Sequence, residues 1–318
     1  MTNPKKIVCL GGGNAMPKAV LSELKKESVS ISVICAMLDS GGSAGRLRRD
    51  YKINAPGDIR RALLALANTS PVIESLFNFR FQTGDLKGHN FANLFIAALE
   101  LSSNSFEKTL AEIKKILNIK HKVFPATLEK SDLHALLENG KLIKGETNID
   151  IPKHNGHLKI KKVFLHPRAK GYPPALKAIQ SADLIIIGPG DLYSSLAQVL
   201  LVEGMAESIR KSKAPKLYIC NLMNKYGETN DYQVEDFAKK IEEFIGCSLD
   251  WVIYNNQPIS AQRYKGKYNE LTGPVLISSN QDQKKFIGAA LCTASGEIIH
   301  HSKKLIKLIL KICFKPSL

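Results

Sequence analysis

Residues 7–13 read Ile-Val-Cys-Leu-Gly-Gly-Gly, a short apolar run that ends in three consecutive glycines. An unbroken apolar run of this length fits a strand buried on both faces, as in parallel sheets covered by helices. Glycines directly after it permit a sharp turn and a close approach of backbone to ligand, because no Cβ intervenes. Asn14 follows, and Ala19, Val20 and Leu24 predict the apolar face of a helix that begins a few residues on. That helix start, over Gly11, Gly12 and Gly13, suits phosphate. A second apolar run at 31–38 completes a strand, turn, helix and strand in about 35 residues, a βαβ unit. The triplet lacks the full G-x-G-x-x-G spacing, so by itself it assigns no ligand.

The rest of the chain repeats this alternation. Helical patterns fall near 58–68, 71–79, 90–101, 106–117, 173–180, 194–211 and 231–245, with strands at 183–187, 216–220 and 251–254. Each of these strands ends in polar or glycine residues. In open parallel sheets such ends form the ligand crevice. The stretch 119–166 differs: short β-like pieces (122–124, 141–143, 159–165) and the pairs Asn139-Gly140 and Asn155-Gly156 predict hairpins and a small β-rich insertion. The tail at 303–312 is a basic amphipathic helix, read as a closing element packed on the sheet in preference to a membrane-surface helix. The domain reading is one α/β domain over 1–318, with the insertion at 119–166 and the segment 258–318 closing the fold.

At 318 residues the chain has ample core, and its longest apolar runs are far too short to span a membrane. The net charge of +16 raises the question of nucleic acid. Lysine outnumbers arginine 36 to 9, however, and is scattered, whereas arginine is the side chain that forks onto phosphates and base edges. Nucleic acid is therefore not an expected partner. Six cysteines without C-x-x-C spacing, three of them in strand-like runs, fit buried thiols in a reducing cytoplasm.

Four segments carry groups suited to a ligand. Residues 39–60 hold Asp39-Ser40-Gly41-Gly42-Ser43-Ala44-Gly45-Arg46-Leu47-Arg48 and then Gly57-Asp58-Ile59-Arg60. Their glycines and serines predict a nest of N–H groups that cradles an anion. Arg46, Arg48 and Arg60 are candidates to fork onto phosphates, and Asp39 and Asp58 to hold a ribose hydroxyl, a Mg²⁺ or one of those arginines. His89 and Asn93 stand four apart at a helix start; His89 is a candidate acid, base or phosphate donor, and equally a cap. Gly188-Pro189-Gly190-Asp191-Leu192-Tyr193-Ser194-Ser195 repeats strand, glycine turn and helix start. After the next strand come Asn221, suited to base or sugar edges, and Gly227-Glu228-Thr229, with Glu228 suited to a hydroxyl or metal. No Walker motif or G-x-S-x-G elbow is present.

In this order the motifs resemble the CofD-like superfamily, and within it the YvcK-type branch, the gluconeogenesis factors. That pattern runs GGGTG, D-[DS]-GGSSGRLR, PPGDIR, RF, L-x-GH-x-x-GN, a GE hairpin, GPGSLYTS, CN-x-M-T-x-x-GET and a strand ending NN. It spans about residues 5–257 here. The resemblance implies a Rossmann-like, doubly wound α/β fold with a mainly parallel sheet, a cytoplasmic location and a uridine-diphosphate sugar as ligand. It also implies a regulatory role joining carbon metabolism to cell-wall precursor supply and cell shape. No catalytic residue is assigned. The alternative is a phospholactate-transferase type of reaction, moving a phospho-organic group from a nucleotide diphosphate with Mg²⁺ held at Asp39 and Asp58.

Nucleotide-binding positions carried over are Gly11, Gly12, Gly13, Asn14, Asp39, Gly41, Gly42, Asp58, Arg60, His89, Asn93, Gly188, Gly190, Tyr193, Asn221, Glu228 and Thr229, together with Tyr264 and His300. Departures are Asn14-Ala15 for Thr-Gly, Ser40 for an Asp, Phe91-Ala92 before Asn93, and Asn224 and Tyr226 for Thr and Pro. His300 aligns with a family arginine, and a histidine cannot form that fork. The oligomeric state stays open, a homodimer among the options.

Overall fold

The computed structural model describes residues 3–38, 40–54, 57–267, 269, 271–278 and 282–314. Among the described residues, ten strands form two sheets. β1 (Lys5–Leu10), β2 (Val29–Cys35), β3 (Lys122–Pro125), β7 (Leu184–Ile187), β8 (Lys216–Ile219), β9 (Trp251–Asn255) and β10 (Phe286–Ala289) make the large one. Their order is β10-β9-β8-β7-β1-β2-β3, and every neighbouring pair is parallel. The order reverses between β1 and β7, which is the switch point where doubly wound folds bind ligands. β4 (Asp132–Leu137), β5 (Leu142–Lys144) and β6 (Ile160–His166) form a small antiparallel sheet in the order β5-β4-β6.

Strand alternation divides the core in two. Ile7 and Cys9 of β1 face one apolar cluster with Ile31, Val33 and the helices Gly57–Leu66, Phe91–Ser103, Phe106–Ile116 and Ser302–Cys313. Val8 and Leu10 face the other, with Ile34, the small sheet and the helices Pro173–Gln180 and Val234–Ile245. Both faces of the strand are thus covered, which is why its sequence is apolar at every inner position. Among the described residues no helix is long and apolar enough to cross a membrane.

Several expectations change. Segment 42–51, expected as a glycine-rich nest, is a helix (Gly42–Tyr51). Leu47 anchors it, buried against Ile53 and Ala97, so apolar packing outweighs the low helix propensity of its first residues. The β-like piece at 122–124 belongs to β3 at the edge of the large sheet, so the antiparallel part begins only at Asp132. Asn139-Gly140 does join β4 to β5, with Gly140 at φ +84°. Asn155-Gly156 lies instead between the helix Glu146–Asp150 and β6. The expected helix at 194–211 is interrupted at Gly204, φ +90°, before Met205–Lys211. The tail helix Ser302–Cys313 buries Leu305, Ile306 and Ile309 completely against the sheet.

Candidate functional site

Two glycine turns meet at the switch point. Gly11–Gly13 follow β1, and Gly188–Gly190 follow β7; Gly188 N–H donates to Leu10 O at the end of β1 at 3.0 Å, and Gly11 N–H to Ile34 O of β2 at 3.2 Å. A Cβ on Gly12 would lie 1.7 Å from Asp58 Oδ2, so only glycine lets the Asp58 carboxylate reach this turn. Among the described residues no protein acceptor receives the N–H groups of Gly12, Gly13 or Asn14.

Three adjoining cavities run along this edge. One, about 390 Å³, is lined by Asn14, Lys18, Gly190, Asn221, His300 and the apolar Leu222, Met223 and Ile298 among others. A second, about 370 Å³, shares Asn14, Ala15, Gly190 and Asp191 with it and adds Gly12, Gly13, Asp58, Arg61, Glu146 and Asp150. A third, about 450 Å³, opens beside Lys225 and shares Asp150 and Asp191. Cavities of this size suit small ligands.

The chemistry differs along the cleft. Asn221 Oδ1 accepts from Gly190 N–H at 3.2 Å, which fixes the side chain across the strand ends. His300 is buried, its Nε2 3.1 Å from Cys220 O, and burial pushes its pKa down to about 4, so the ring is neutral near pH 7. Asp58 is ion-paired with Arg61 one turn along the helix Gly57–Leu66. Burial raises the Glu146 carboxyl above its ordinary value; Ser40 N–H opposes this and Asp150 reinforces it.

Some carried-over residues have other work. The Tyr193 side chain is in the core, its hydroxyl 2.9 Å from that of Tyr232, so Tyr193 brings only backbone near the cleft. Glu228 is buried and accepts the N–H groups of Tyr193 (3.0 Å) and Ser194 (3.1 Å) and the Ser194 hydroxyl (2.6 Å). It therefore occupies the anion position at the start of the turn Leu192–Leu196, where a phosphate was expected. Buried Thr229 accepts Lys225 N–H at 3.0 Å and shapes the loop.

Away from the cavities, Arg48 pairs with Asp132 at 2.9 Å and Arg46 donates to Lys87 O at 3.0 Å, which ties the second glycine segment to the small sheet and to the 79–91 turn. Gly41 packs against Thr147, whose Oγ1 would be 2.5 Å from a Cβ there. Gly42, at φ +54°, starts its helix. His89 contacts Ser43 Oγ at 3.2 Å, and Asn90, not His89, caps the next helix by accepting Asn93 N–H. Arg60 and Asn93 are buried on their helices. Tyr264 packs against the small apolar cluster of Leu222, Ile259 and Cys292, as do Met223 and Ile298, which line the first and third cavities. Asp39 lies outside the described residues.

The sequence reading passed over Arg61, Asp150 and Lys225. Asp150 ends the helix Glu146–Asp150, which packs against the turn after β7. Lys225 donates to Asp150, to Asp191 at 2.7 Å and to Ser194 at 3.4 Å, and pairs with Glu228 at 3.1 Å. The one available signal was that Lys225 is the sole cation between Asn221 and Glu228.

The sequence profile of the CofD family, described as 2-phospho-L-lactate transferase CofD, matches residues 7–292. The gluconeogenesis factor of Halalkalibacterium halodurans is 37% identical, with 96% of each chain covered. That of Bacillus subtilis is 36% identical, with 98% of each covered.

The chain belongs to the CofD family.

Its similarity lies with the gluconeogenesis-factor, YvcK-type branch. A crystal structure of a UPF0052-family protein from Bacillus halodurans superposes with a TM-score of 0.90 at 35% identity, covering 98% of this chain and all of that one. The α/β architecture expected from the motifs is thus the architecture of this branch. As in any such fold, what is bound follows from the cleft and not from the scaffold.

Proposed function

We propose that this CofD-family chain is a regulatory protein of carbon metabolism that binds a uridine-diphosphate sugar and joins carbon supply to cell-wall precursor supply and cell shape. Relatives named gluconeogenesis factor over their full length support the carbon-metabolism part. The observation that carries the ligand is the row of N–H groups of Gly12, Gly13 and Asn14, without a protein acceptor, at the boundary of two unlike cavities. Backbone N–H groups at a glycine turn are natural partners of a diphosphate.

On one side, Asn14 and Asn221 with Leu222, Met223 and Ile298 suit a pyrimidine base, which needs amide partners and an apolar wall. On the other, Asp58, Glu146, Asp150 and Asp191 suit sugar hydroxyls, which donate to carboxylates. A second phosphate-rich moiety in that acidic cavity would be repelled. This asymmetry favours a sugar over a dinucleotide. The transferase reading draws support from the family's description and from the same acids.

Thermal shift and calorimetric titration with UDP-N-acetylglucosamine, UDP-glucose, GDP and NAD, each with and without Mg²⁺, test the proposal. A uridine-diphosphate sugar at about 100 times its Kd adds about 2.7 kcal/mol and raises Tm by several degrees. A shift with NAD alone overturns the reading. Turnover of a nucleotide-linked donor on adding Mg²⁺ establishes the transferase instead.

A further inference from the structure

The transferase alternative carries with it a Mg²⁺ bound beside the nucleotide. Of the two acids expected to hold it, Asp39 lies outside the described residues and Asp58 is ion-paired with Arg61. Among the described residues, one group of three acids has ligand atoms close enough for a shared cation: Asp150, Asp191 and Glu228. Its space is taken. The Lys225 ammonium lies 2.7 Å from Asp191 Oδ2 and 3.1 Å from Glu228 Oε1, and donates to Asp150 Oδ1. Ser194 Oγ, at 3.4 Å, completes its surroundings.

The lysine is held there by its own loop. Lys225 O accepts the N–H groups of Glu228 (3.1 Å) and Thr229 (2.9 Å), and Lys225 N–H donates to Thr229 Oγ1. Gly227, at φ +79°, closes the turn, with Asn230 Oδ1 accepting its N–H at 2.9 Å and Asn230 Nδ2 donating to Gly156 O. Three segments far apart in sequence therefore meet around one ammonium: the end of the insertion helix, the turn after β7 and the turn after β8. A divalent ion at the same carboxylates would stand within a few ångströms of that ammonium, where like charges repel strongly in a half-buried site. A divalent ion also needs several oxygens arranged around itself, and these oxygens already converge on Nζ.

We propose that Lys225 is the resident cation of the cleft, taking the place of a divalent ion among Asp150, Asp191 and Glu228, so that this chain binds its anionic ligand without Mg²⁺. The ligand half of this statement rests on the nucleotide-sugar reading above; the metal half does not. Three acids and one lysine leave a net charge of −2 at this point. The group therefore orients hydroxyls and holds the loop after β8, and does not itself grip phosphate.

Mn²⁺ alone, followed by electron paramagnetic resonance and calorimetry, tests the metal half in the full chain. Wild type is expected to show no Mn²⁺ site tighter than about 1 mM, and Lys225→Met to gain one at least tenfold tighter. A submillimolar Mn²⁺ site in wild type overturns the proposal, whether or not the variant folds. So does a folded Lys225→Met, or Lys225→Gln in its place, that gains no Mn²⁺ site. For the ligand half, wild-type affinity for UDP-N-acetylglucosamine should be equal in EDTA and in Mg²⁺, whereas that of Lys225→Met should fall at least tenfold in EDTA and recover with Mg²⁺. A Mg²⁺ requirement in wild type overturns it. If no uridine nucleotide binds wild type under either condition, the nucleotide-sugar reading fails, and the Mn²⁺ result alone decides the role of Lys225.

Discussion

His300 shows how one residue's burial becomes a property of the protein. Its ring is 6% exposed and hydrogen-bonded to Cys220 O, and its pKa is pushed down to about 4, against an ordinary value of 6.5. A depressed histidine favours the fold while neutral. As pH falls below 6.5 the unfolded chain takes the proton first, so stability is lost between pH 6.5 and about 4. The loss at pH 5 is about 2 kcal/mol. Urea unfolding at pH 7 and pH 5 measures it, and His300→Gln should remove most of the difference; an unchanged difference would assign the pH dependence to other groups. A neutral imidazole at this position also means that His300 offers the first cavity a hydrogen-bonding edge and no charge. The family arginine with which it aligns would supply one. Lys225 is the converse case. Burial alone would lower its pKa, yet Glu228, Asp191 and Asp150 together raise it, so the ammonium is kept.

At the scale of elements, local periodicity worked where an apolar face is long and regular. The helix Val234–Ile245 places Phe237, Ala238, Ile241 and Ile245 on one face, and the tail Ser302–Cys313 does the same with Leu305, Ile306 and Ile309. For the tail the choice between a membrane surface and the sheet was a tertiary matter, decided by the core cluster it closes. Ile309 is fully buried, so Ile309→Ala should cost about 2–5 kcal/mol in urea unfolding. A cost under 1 kcal/mol would mean that the tail does not pack on the sheet in solution. The helix Gly42–Tyr51 was illegible for the opposite reason. Glycine and serine dominate its start, and the one strong apolar anchor, Leu47, finds Ala97 some fifty residues later in the chain. β3 was misassigned because four residues carry little pattern, and pairing with β2 depends on a partner that lies on the far side of five helices in sequence.

At the scale of the molecule, the two apolar clusters share the strands of one sheet: β1 gives Ile7 and Cys9 to one and Val8 and Leu10 to the other. Neither half can lose its helices without exposing the sheet. Unfolding in urea is therefore expected to be a single transition, with the fluorescence of Trp251 on β9 and the far-UV circular dichroism of the helices coinciding. Separated midpoints would show that the small sheet β4–β6 or one helical layer unfolds by itself.

By itself the sequence determined the succession of buried strands and amphipathic helices, the glycine turns after β1 and β7, and the family. These follow from short-range causes: side-chain periodicity, the freedom of glycine and the order of motifs. Only the tertiary structure decided which of the polar residues near those turns face the cleft. It turned Tyr193 and Thr229 inward and set Glu228 on the N–H groups where a phosphate was expected. It also brought Lys225 to Asp150 and Asp191, 75 and 34 residues away. A charge's role depends on what surrounds it, and burial and partners come from segments whose meeting no local pattern encodes.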